Sequence, residues 1–186
     1  MDIIIRKFTV KRESGFEQVY PFTTFDCIFD DVKEEPIRQL FSYMREVFVQ
    51  GIPATAGDKS VSGSSIIMSR PARCESDLIQ FAKDSTCTGR GKFQHEVIEE
   101  YLIDNDPSCL ATEVPVYDET YLGHIDILRF RDGRIEVVDY KPNAAKEKKA
   151  ASQIARYKQL LCARTHIPHE LVDAIYFDDK NCYSLI

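Results

Sequence analysis

One stretch, residues 123–142 with the sequence GHIDILRFRDGRIEVVDYKP, constrains the fold of this chain more than any other. It consists of two arms rich in apolar residues, and the dipeptide Asp132-Gly133 between them is typical of a two-residue β-hairpin turn. In such a turn the arms pair residue by residue outward from the arginines that flank it. This register predicts that Asp126 lies directly opposite Asp139.

Two opposed carboxylates are an unusual feature for an apolar hairpin. Opposed residues project from one face with Cβ atoms about 4.5–5.5 Å apart, and like charges in that position are destabilising. Both faces of the hairpin are predicted to be buried, since apolar residues occupy each: Leu128, Phe130, Ile135 and Val137 beside the carboxylates, and Ile125, Ile127, Val138 and Tyr140 on the other side. An ionised buried pair needs a cation, and oxygen ligands suit Mg²⁺ or Mn²⁺.

Lys141 lies on the face of the two aspartates, because side chains alternate along a strand. Two acids and a lysine are therefore predicted to converge at one end of the hairpin. A metal-free alternative remains open, in which Lys141 pairs with Asp139 and Asp126 has another partner. A bulge or a longer turn would also move one carboxylate to the other face.

Composition limits the class of protein. The chain has 186 residues, of which 44% are hydrophobic and 29% charged, which is typical of one globular domain and excludes a disordered or fibrous chain. No apolar run is long enough for a membrane helix, and the start MDIIIRKF has no secretory leader, so we expect a cytoplasmic protein without a membrane partner. Six cysteines without a C-x-x-C pair argue against a zinc site and favour free thiols. A net charge of -6 means that any nucleic-acid contact needs a local basic patch or bound cations.

Periodicity predicts the elements. We expect an N-terminal β-hairpin around Glu13-Ser14-Gly15, a helix over 36–49, a loop over 52–74 and a short helix over 76–83. From residue 92 the predicted order is αβββαβ, with helices over 92–103 and 145–164, and strands over 111–116, 121–130, 134–141, 171–177 and 182–186. This suggests an N-terminal extension over 1–88 and a core over 89–186.

Two helices carry further candidates. His95 lies at the edge of the apolar arc of the first core helix, so it is either a hydrogen-bonded core histidine or a metal ligand. Glu99 is a weaker candidate for a metal ligand, and we expect it in an exposed salt bridge. On the long helix, Gln153 and Tyr157 are four residues apart on an inward stripe. They form either a wet helix edge or a pair that holds a phosphate or positions Lys141.

Basic residues accompany these candidates. They form either a solvated face or a contact surface for a nucleic-acid backbone, and the candidates are Arg90, Lys92, Lys146, Lys149 and Arg156.

The segments GRGKFQHE, GHID, DYK and QIARY, in this order over residues 89–161, resemble the RecB-like branch of the PD-(D/E)xK nucleases. That branch includes CRISPR-associated exonucleases and is related more distantly to lambda exonuclease. The resemblance implies a three-layer α/β fold of the restriction-endonuclease type with a mixed central sheet. It also implies a metal-dependent DNA phosphodiesterase whose products carry 5′-phosphates and 3′-hydroxyls.

Carried over to this chain, the resemblance assigns site residues. His95, Asp126 and Asp139 would bind one or two Mg²⁺ or Mn²⁺ ions, with the Tyr140 carbonyl as a further ligand. The catalytic set would be Asp126, Asp139, Lys141, Gln153 and Tyr157. Members with an iron–sulfur cluster use an upstream cysteine and a close downstream trio, a pattern absent here, so no cluster is expected.

We therefore predict a DNA nuclease, an exonuclease by analogy with these members. The rival interpretations are a DNA-binding or assembly subunit that keeps the fold without activity, and a structural domain with a salt-bridged acid pair. Residues 1–88 match no family known to us, so the sequence leaves substrate choice open.

Overall fold

The computed structural model describes residues 1–11, 17–53, 55–57, 70–86 and 94–186. Within these ranges the chain forms eight strands and four α-helices, an α/β fold with one mixed sheet. The strands are β1 (Ile3–Lys11), β2 (Glu17–Phe25), β3 (Pro71–Arg73), β4 (Cys109–Tyr117), β5 (Leu122–Arg131), β6 (Arg134–Tyr140), β7 (Val172–Phe177) and β8 (Cys182–Leu185). The helices are α1 (Glu35–Gln50), α2 (Leu78–Thr86), α3 (Gln94–Asn105) and α4 (Ala150–Thr165).

The sheet has the strand order β1-β2-β4-β5-β6-β7-β8-β3. All neighbouring pairs are antiparallel except β6 and β7, which are parallel. A parallel pair needs a crossover connection, and α4 supplies it. The predicted order αβββαβ with a mixed central sheet is therefore observed from α3 to β7, and β8 follows it.

The hairpin turn confirms the predicted register. Asp132 and Gly133 have φ angles of 52° and 78°, the positive values of a type I′ turn, and Arg131 pairs with Arg134. The paired residues run outward as far as Ile127 and Val138. The β5–β6 ladder thus ends one pair before Asp126 and Asp139.

Helices cover both faces of the sheet. Val137 belongs to the apolar cluster that includes Ile154 and Leu161 of α4 together with side chains of α1. Its neighbour Val138 packs into a second cluster with Ile98 of α3 and side chains of α2. Both faces of the hairpin are therefore buried, as predicted, but Ile125 lies in the cluster of Val137 and not, as expected, in that of Val138.

The N-terminal hairpin belongs to the same sheet as the later strands. Thr23 and Thr24 of β2 pair with β4, and Phe22 is completely buried in the cluster that contains α1 and α4. On the other edge, β3 pairs with β8. Segments from both sides of the predicted 88/89 boundary thus share one sheet, and the boundary itself lies outside the described residues, as does the turn at Glu13-Ser14-Gly15.

Two element predictions need correction. The long helix begins at Ala150 and not at residue 145, because Asn143 adopts a left-handed conformation (φ 63°) and the Ala144 N–H donates to Asp178 Oδ2 at 2.7 Å, which holds 144–146 in a 3₁₀ turn. The strand β3 lies within the predicted loop 52–74. The sequence did not reveal this strand, because three residues are too few to show a period and the strand is stabilised by long-range pairing with β8. No helix in the described part of the chain has the length and apolar character needed to cross a membrane.

Candidate metal centre

The predicted carboxylates lie where β5 and β6 separate. Beyond the last β5–β6 pair, Asp139 is paired with Tyr176 of β7, so β6 stays attached to its other neighbour. The Tyr140 N–H donates to Asp126 Oδ2 at 3.0 Å, so a side-chain oxygen of β5 accepts this backbone donor of β6. The two strands therefore form a fork, and both aspartates lie at its opening.

Asp139 and Lys141 form an ion pair at this fork. The distance from Lys141 Nζ to Asp139 Oδ2 is 2.8 Å, and Asp139 is completely buried. Burial, and next the charge of Asp126, raise the pKa of Asp139 well above its usual value. Burial opposes the charge on Lys141, but Asp139 and Asp126 raise its pKa overall, so the lysine is held as an ammonium.

The metal-free alternative predicted this ion pair between Lys141 and Asp139, but the pair leaves one oxygen of the Asp139 carboxylate without a hydrogen bond in the described structure. Asp139 Oδ1 is buried and has no hydrogen-bond donor among the described residues. A buried acceptor without a donor costs free energy, so this oxygen needs either a proton or a cation in addition to the contact of the carboxylate with Lys141.

His95 reaches the fork from α3. Its Nδ1 lies 3.2 Å from Asp126 Oδ2, and its ring meets the Tyr140 ring edge-on with centroids 5.3 Å apart. The structure thus brings His95 to Asp126, and its role as a metal ligand stays a prediction. The Tyr140 backbone nitrogen and ring are engaged here, and its carbonyl as a ligand stays a prediction.

Glu99 is part of the same group, and the expected exposed salt bridge is wrong. Glu99 is only 6% exposed, and its Oε1 has no hydrogen-bond partner in the described structure. One helical turn separates it from His95, so α3 points both side chains at β5. Ligand atoms of His95, Glu99 and Asp126 all lie within 4.8 Å of one another, a group that could hold a metal ion. Burial, then Glu113 and Asp126, raise the pKa of Glu99 to about 10.

Glu113 of β4 is a member of the cluster that the sequence reasoning missed. The β4–β5 pairs on either side of it, Thr112 with Ile127 and Val114 with Ile125, place it across from Asp126. Its φ of 53° is unusual for a strand residue, and its Oε2 is buried without a hydrogen-bond partner in the described residues. Burial, then Asp126, raise the pKa of Glu113 to about 8. The signal in the sequence was a lone acid within the apolar strand CLATEVPVY.

This arrangement fits a bound cation. Glu99, Glu113, Asp126 and Asp139 bring four carboxylates together against one lysine, and three of them have a buried oxygen without a hydrogen bond among the described residues. Such oxygens are either protonated or bound to a cation when buried. A cation at the fork would let these carboxylates ionise and would satisfy their oxygens.

Gln153 and Tyr157 approach from α4. Gln153 Nε2 donates to Tyr157 Oη at 2.8 Å, and the Tyr157 ring is buried. Burial, then Tyr121, raise the pKa of Tyr157, and Asp139 and Asp126 contribute to the same shift. Gly123 explains how the ring fits, because a Cβ at this position would lie 2.6 Å from Tyr157 Cε1. Only glycine lets α4 bring Tyr157 this close to β5.

The basic candidates have different surroundings. Lys146 and Lys149 are exposed on the segment that leads into α4. Arg156 packs over the Tyr121 ring, 4.4 Å from its centroid, and donates to Thr120 Oγ1 at 3.1 Å, so its guanidinium already has contacts within the chain. Arg90 and Lys92 lie outside the described residues. A nucleic-acid contact by any of these side chains stays a prediction.

Comparison with family models, curated proteins and solved structures finds no match for this chain.

Proposed function

We propose that this protein is a metal-dependent DNA nuclease that hydrolyses phosphodiester bonds and leaves 5′-phosphate and 3′-hydroxyl ends. The observation that carries the proposal is the convergence of Asp126, Asp139 and Lys141 at the β5–β6 fork, next to His95 and Glu99. The order α3-β4-β5-β6-α4-β7 on a mixed sheet supports it, because it is compatible with the restriction-endonuclease-like core that the motifs imply.

The cofactor in this proposal is Mg²⁺ or Mn²⁺. Asp126 and Asp139 would hold it together with Glu99 and His95, since carboxylate oxygens suit both ions and an imidazole suits Mn²⁺. When bound, such an ion supplies charge neutralisation at the phosphate and makes nearby water more acidic.

In this proposal, the residues around the metal position the substrate, the attacking water and the DNA backbone. Lys141, held as an ammonium by Asp139, orients the attacking water and stabilises the charge that develops on the phosphate. The hydrogen-bonded pair of Gln153 and Tyr157 restricts how substrate and lysine can sit on the α4 side. Lys146 and Lys149 would contact the DNA backbone outside the fork.

The test is digestion of end-labelled single-stranded and duplex DNA with Mg²⁺, with Mn²⁺ and with chelator. We expect cleavage with metal only, and a loss of about 10²–10³ in rate for Lys141→Ala, the size found when one group that stabilises transition-state charge is removed. Asp139→Asn should abolish cleavage. Asp104→Asn and Lys180→Ala change exposed residues outside the fork and serve as matched controls.

Cleavage that survives chelator or Asp139→Asn would contradict the proposal. A folded wild type that binds DNA and cuts none of the substrates would instead support a non-catalytic DNA-binding subunit. Circular DNA in the same assay separates cleavage from ends, the exonuclease prediction, from internal cleavage.

A further inference from the structure

A pair of cysteines lies at the sheet edge formed by β3 and β8. The last β3–β8 pair is Arg73 with Tyr183, so the next residues outward, Cys74 and Cys182, face each other. The Cys74 N–H donates to the Cys182 carbonyl at 2.9 Å, which continues the ladder by one pair. Their sulfur atoms lie 2.9 Å apart as free thiols.

We propose that Cys74 and Cys182 are a reversible disulfide site of this protein. Opposed residues in a hydrogen-bonded antiparallel pair have Cα atoms about 5.5 Å apart. That separation falls within the range of roughly 4.4–6.8 Å that a disulfide spans. The backbone therefore already holds the two thiols in position for a covalent bond.

The two thiols differ in access and in acidity. Cys74 is partly exposed and lines two surface clefts, which it shares with Glu75 and Ser76, whereas Cys182 is completely buried. Its hydrogen bond to Cys182 lowers the pKa of Cys74, while the same contact and burial raise the pKa of Cys182. Cys74 is thus the thiol that a small oxidant meets first, and the better nucleophile of the two.

The oxidant in this proposal is a small-molecule disulfide, such as oxidised glutathione. The Cys74 thiolate attacks one of its sulfur atoms, which forms a mixed disulfide and releases one thiolate. Cys182 then loses its proton to that thiolate and attacks Cys74 Sγ, which breaks the mixed disulfide and releases a second thiolate that takes up a proton from solvent. Two protein thiols are oxidised, and one small disulfide is reduced to two thiols.

The bond would join the residue that follows β3 to the first residue of β8, the last strand. Asp77, which follows Cys74 closely, binds Arg129 at 3.0 Å and Arg131 at 2.7 Å, so this segment is already attached to β5. Cys74 and Cys182 are 108 positions apart, and the residues between them include the whole fork. Because a long closed loop restricts the unfolded chain, the oxidised protein should melt at a higher temperature than the reduced protein.

The experiment treats the folded protein with oxidised glutathione, blocks the remaining thiols and maps linked peptides by mass spectrometry without reduction. We expect one intrachain peptide pair that joins Cys74 to Cys182 and disappears with dithiothreitol. Cys182→Ser should trap glutathione on Cys74, and Cys74→Ser should leave Cys182 unmodified. Cys27→Ser is the matched control, since burial and Asp30 raise the pKa of Cys27, and it should not change the linkage.

Mapping of the wild type needs no variant, so a poorly folding mutant does not weaken the test. The proposal is overturned if the wild type shows no Cys74–Cys182 peptide, if Cys182 links to a different cysteine, or if Cys27 takes up glutathione faster than Cys74. An oxidised protein that carries this link and melts no higher than the reduced one would overturn the stated stabilisation.

Discussion

Glu99 is the single residue that shows most clearly why the fork could hold a cation. Glu99 is almost completely buried, and its Oε1 has no hydrogen-bond partner within the described ranges, which costs folding free energy. Its neighbours Glu113 and Asp126 are also acids, which adds repulsion when it ionises. A bound divalent cation would offset this cost, because it would attract every carboxylate in the group.

Replacing Glu99 therefore tests whether the cluster holds a cation. Without metal, Glu99→Gln should melt at the same temperature as the wild type or higher, because the amide is neutral. With Mn²⁺ at about 100 times its dissociation constant, ligand binding should stabilise the wild type by about 2.7 kcal/mol, and the variant should gain much less. Thermal denaturation with and without Mn²⁺ measures both effects.

Glu100→Gln is the matched control, because Glu100 is the next residue of α3 and is exposed. It should keep the full response to Mn²⁺. An equal gain in the Glu99 and Glu100 variants would mean that Glu99 does not contribute to cation binding.

The sequence could predict some of these residues because their positions follow from local rules. Asp126, Asp139 and Lys141 follow from the Asp-Gly turn and the alternation of a strand, and the turn is observed. Glu99 and Glu113 depend on the rotation of α3 against the sheet and on a positive φ in β4. The rotation of α3 and the positive φ in β4 both result from tertiary packing, which the periodicity of the sequence does not predict.

At the scale of elements, the contact between β5 and α4 depends on Gly123. A Cβ there would lie 2.6 Å from Tyr157 and 2.8 Å from Tyr121, so both rings must move. Gly123→Ala should therefore destabilise the protein by about 1–3 kcal/mol, as overpacked sites do. Cleavage should also slow, because Tyr157 is displaced from the fork.

Urea denaturation and the DNA cleavage assay measure these two effects. Gly133→Asn is the control, because no atom of the described residues lies within 4 Å of its Cβ position and asparagine tolerates a positive φ. Wild-type stability and activity in Gly123→Ala would contradict the close packing of Tyr157 on β5.

A second contact between elements is the buried Arg129 of β5. Its guanidinium is completely buried among three acids, with Asp106 at 2.6 Å, Glu136 at 2.9 Å and Asp77 at 3.0 Å. Burial opposes its charge, but Glu136, Asp106 and Asp77 raise the pKa of Arg129 overall. Since Asp77 precedes α2 and Asp106 follows α3, this cluster attaches both helices to the hairpin.

Arg129→Leu should destabilise the protein by about 3–5 kcal/mol, because it leaves buried acids without their cation. Arg134→Leu is a matched control on the next strand, where a half-exposed pair with Asp173 contributes about 1 kcal/mol. Chemical denaturation of both variants measures the difference. Equal losses would show that the Arg129 cluster does not hold the helices.

Element prediction succeeded where local signals are strong. The N-terminal hairpin, α1 and β4 to β7 follow from periodicity and turn residues, and all are observed. The beginning of α4 and the strand β3 do not, because they depend on the contact of Ala144 with Asp178 and on pairing with β8. Both the first residue of α4 and the existence of β3 therefore depend on residues that are distant in the sequence.

At the scale of the whole molecule, the first strands complete the sheet that carries the fork. β2 covers the edge of β4, and Phe8 and Phe22 fill the core beneath α1 and α4. A fragment of residues 89–186 would expose that edge and lose part of the core. We expect it to lack a cooperative thermal transition, measured by circular dichroism, whereas the full chain unfolds in one step. A fragment that melts sharply and cleaves DNA would instead support two independent domains.

If a divalent cation binds at the fork between β5 and β6, diffraction from a crystal soaked in Mn²⁺ will locate it. The anomalous signal of manganese should give a peak in contact with the carboxylates of Asp126 and Asp139, near His95 and Glu99. A crystal of Asp139→Asn should lack that peak. Saturating Mn²⁺ that leaves the fork empty, or binds only to acids on the surface, would show that the fork is not a cation site.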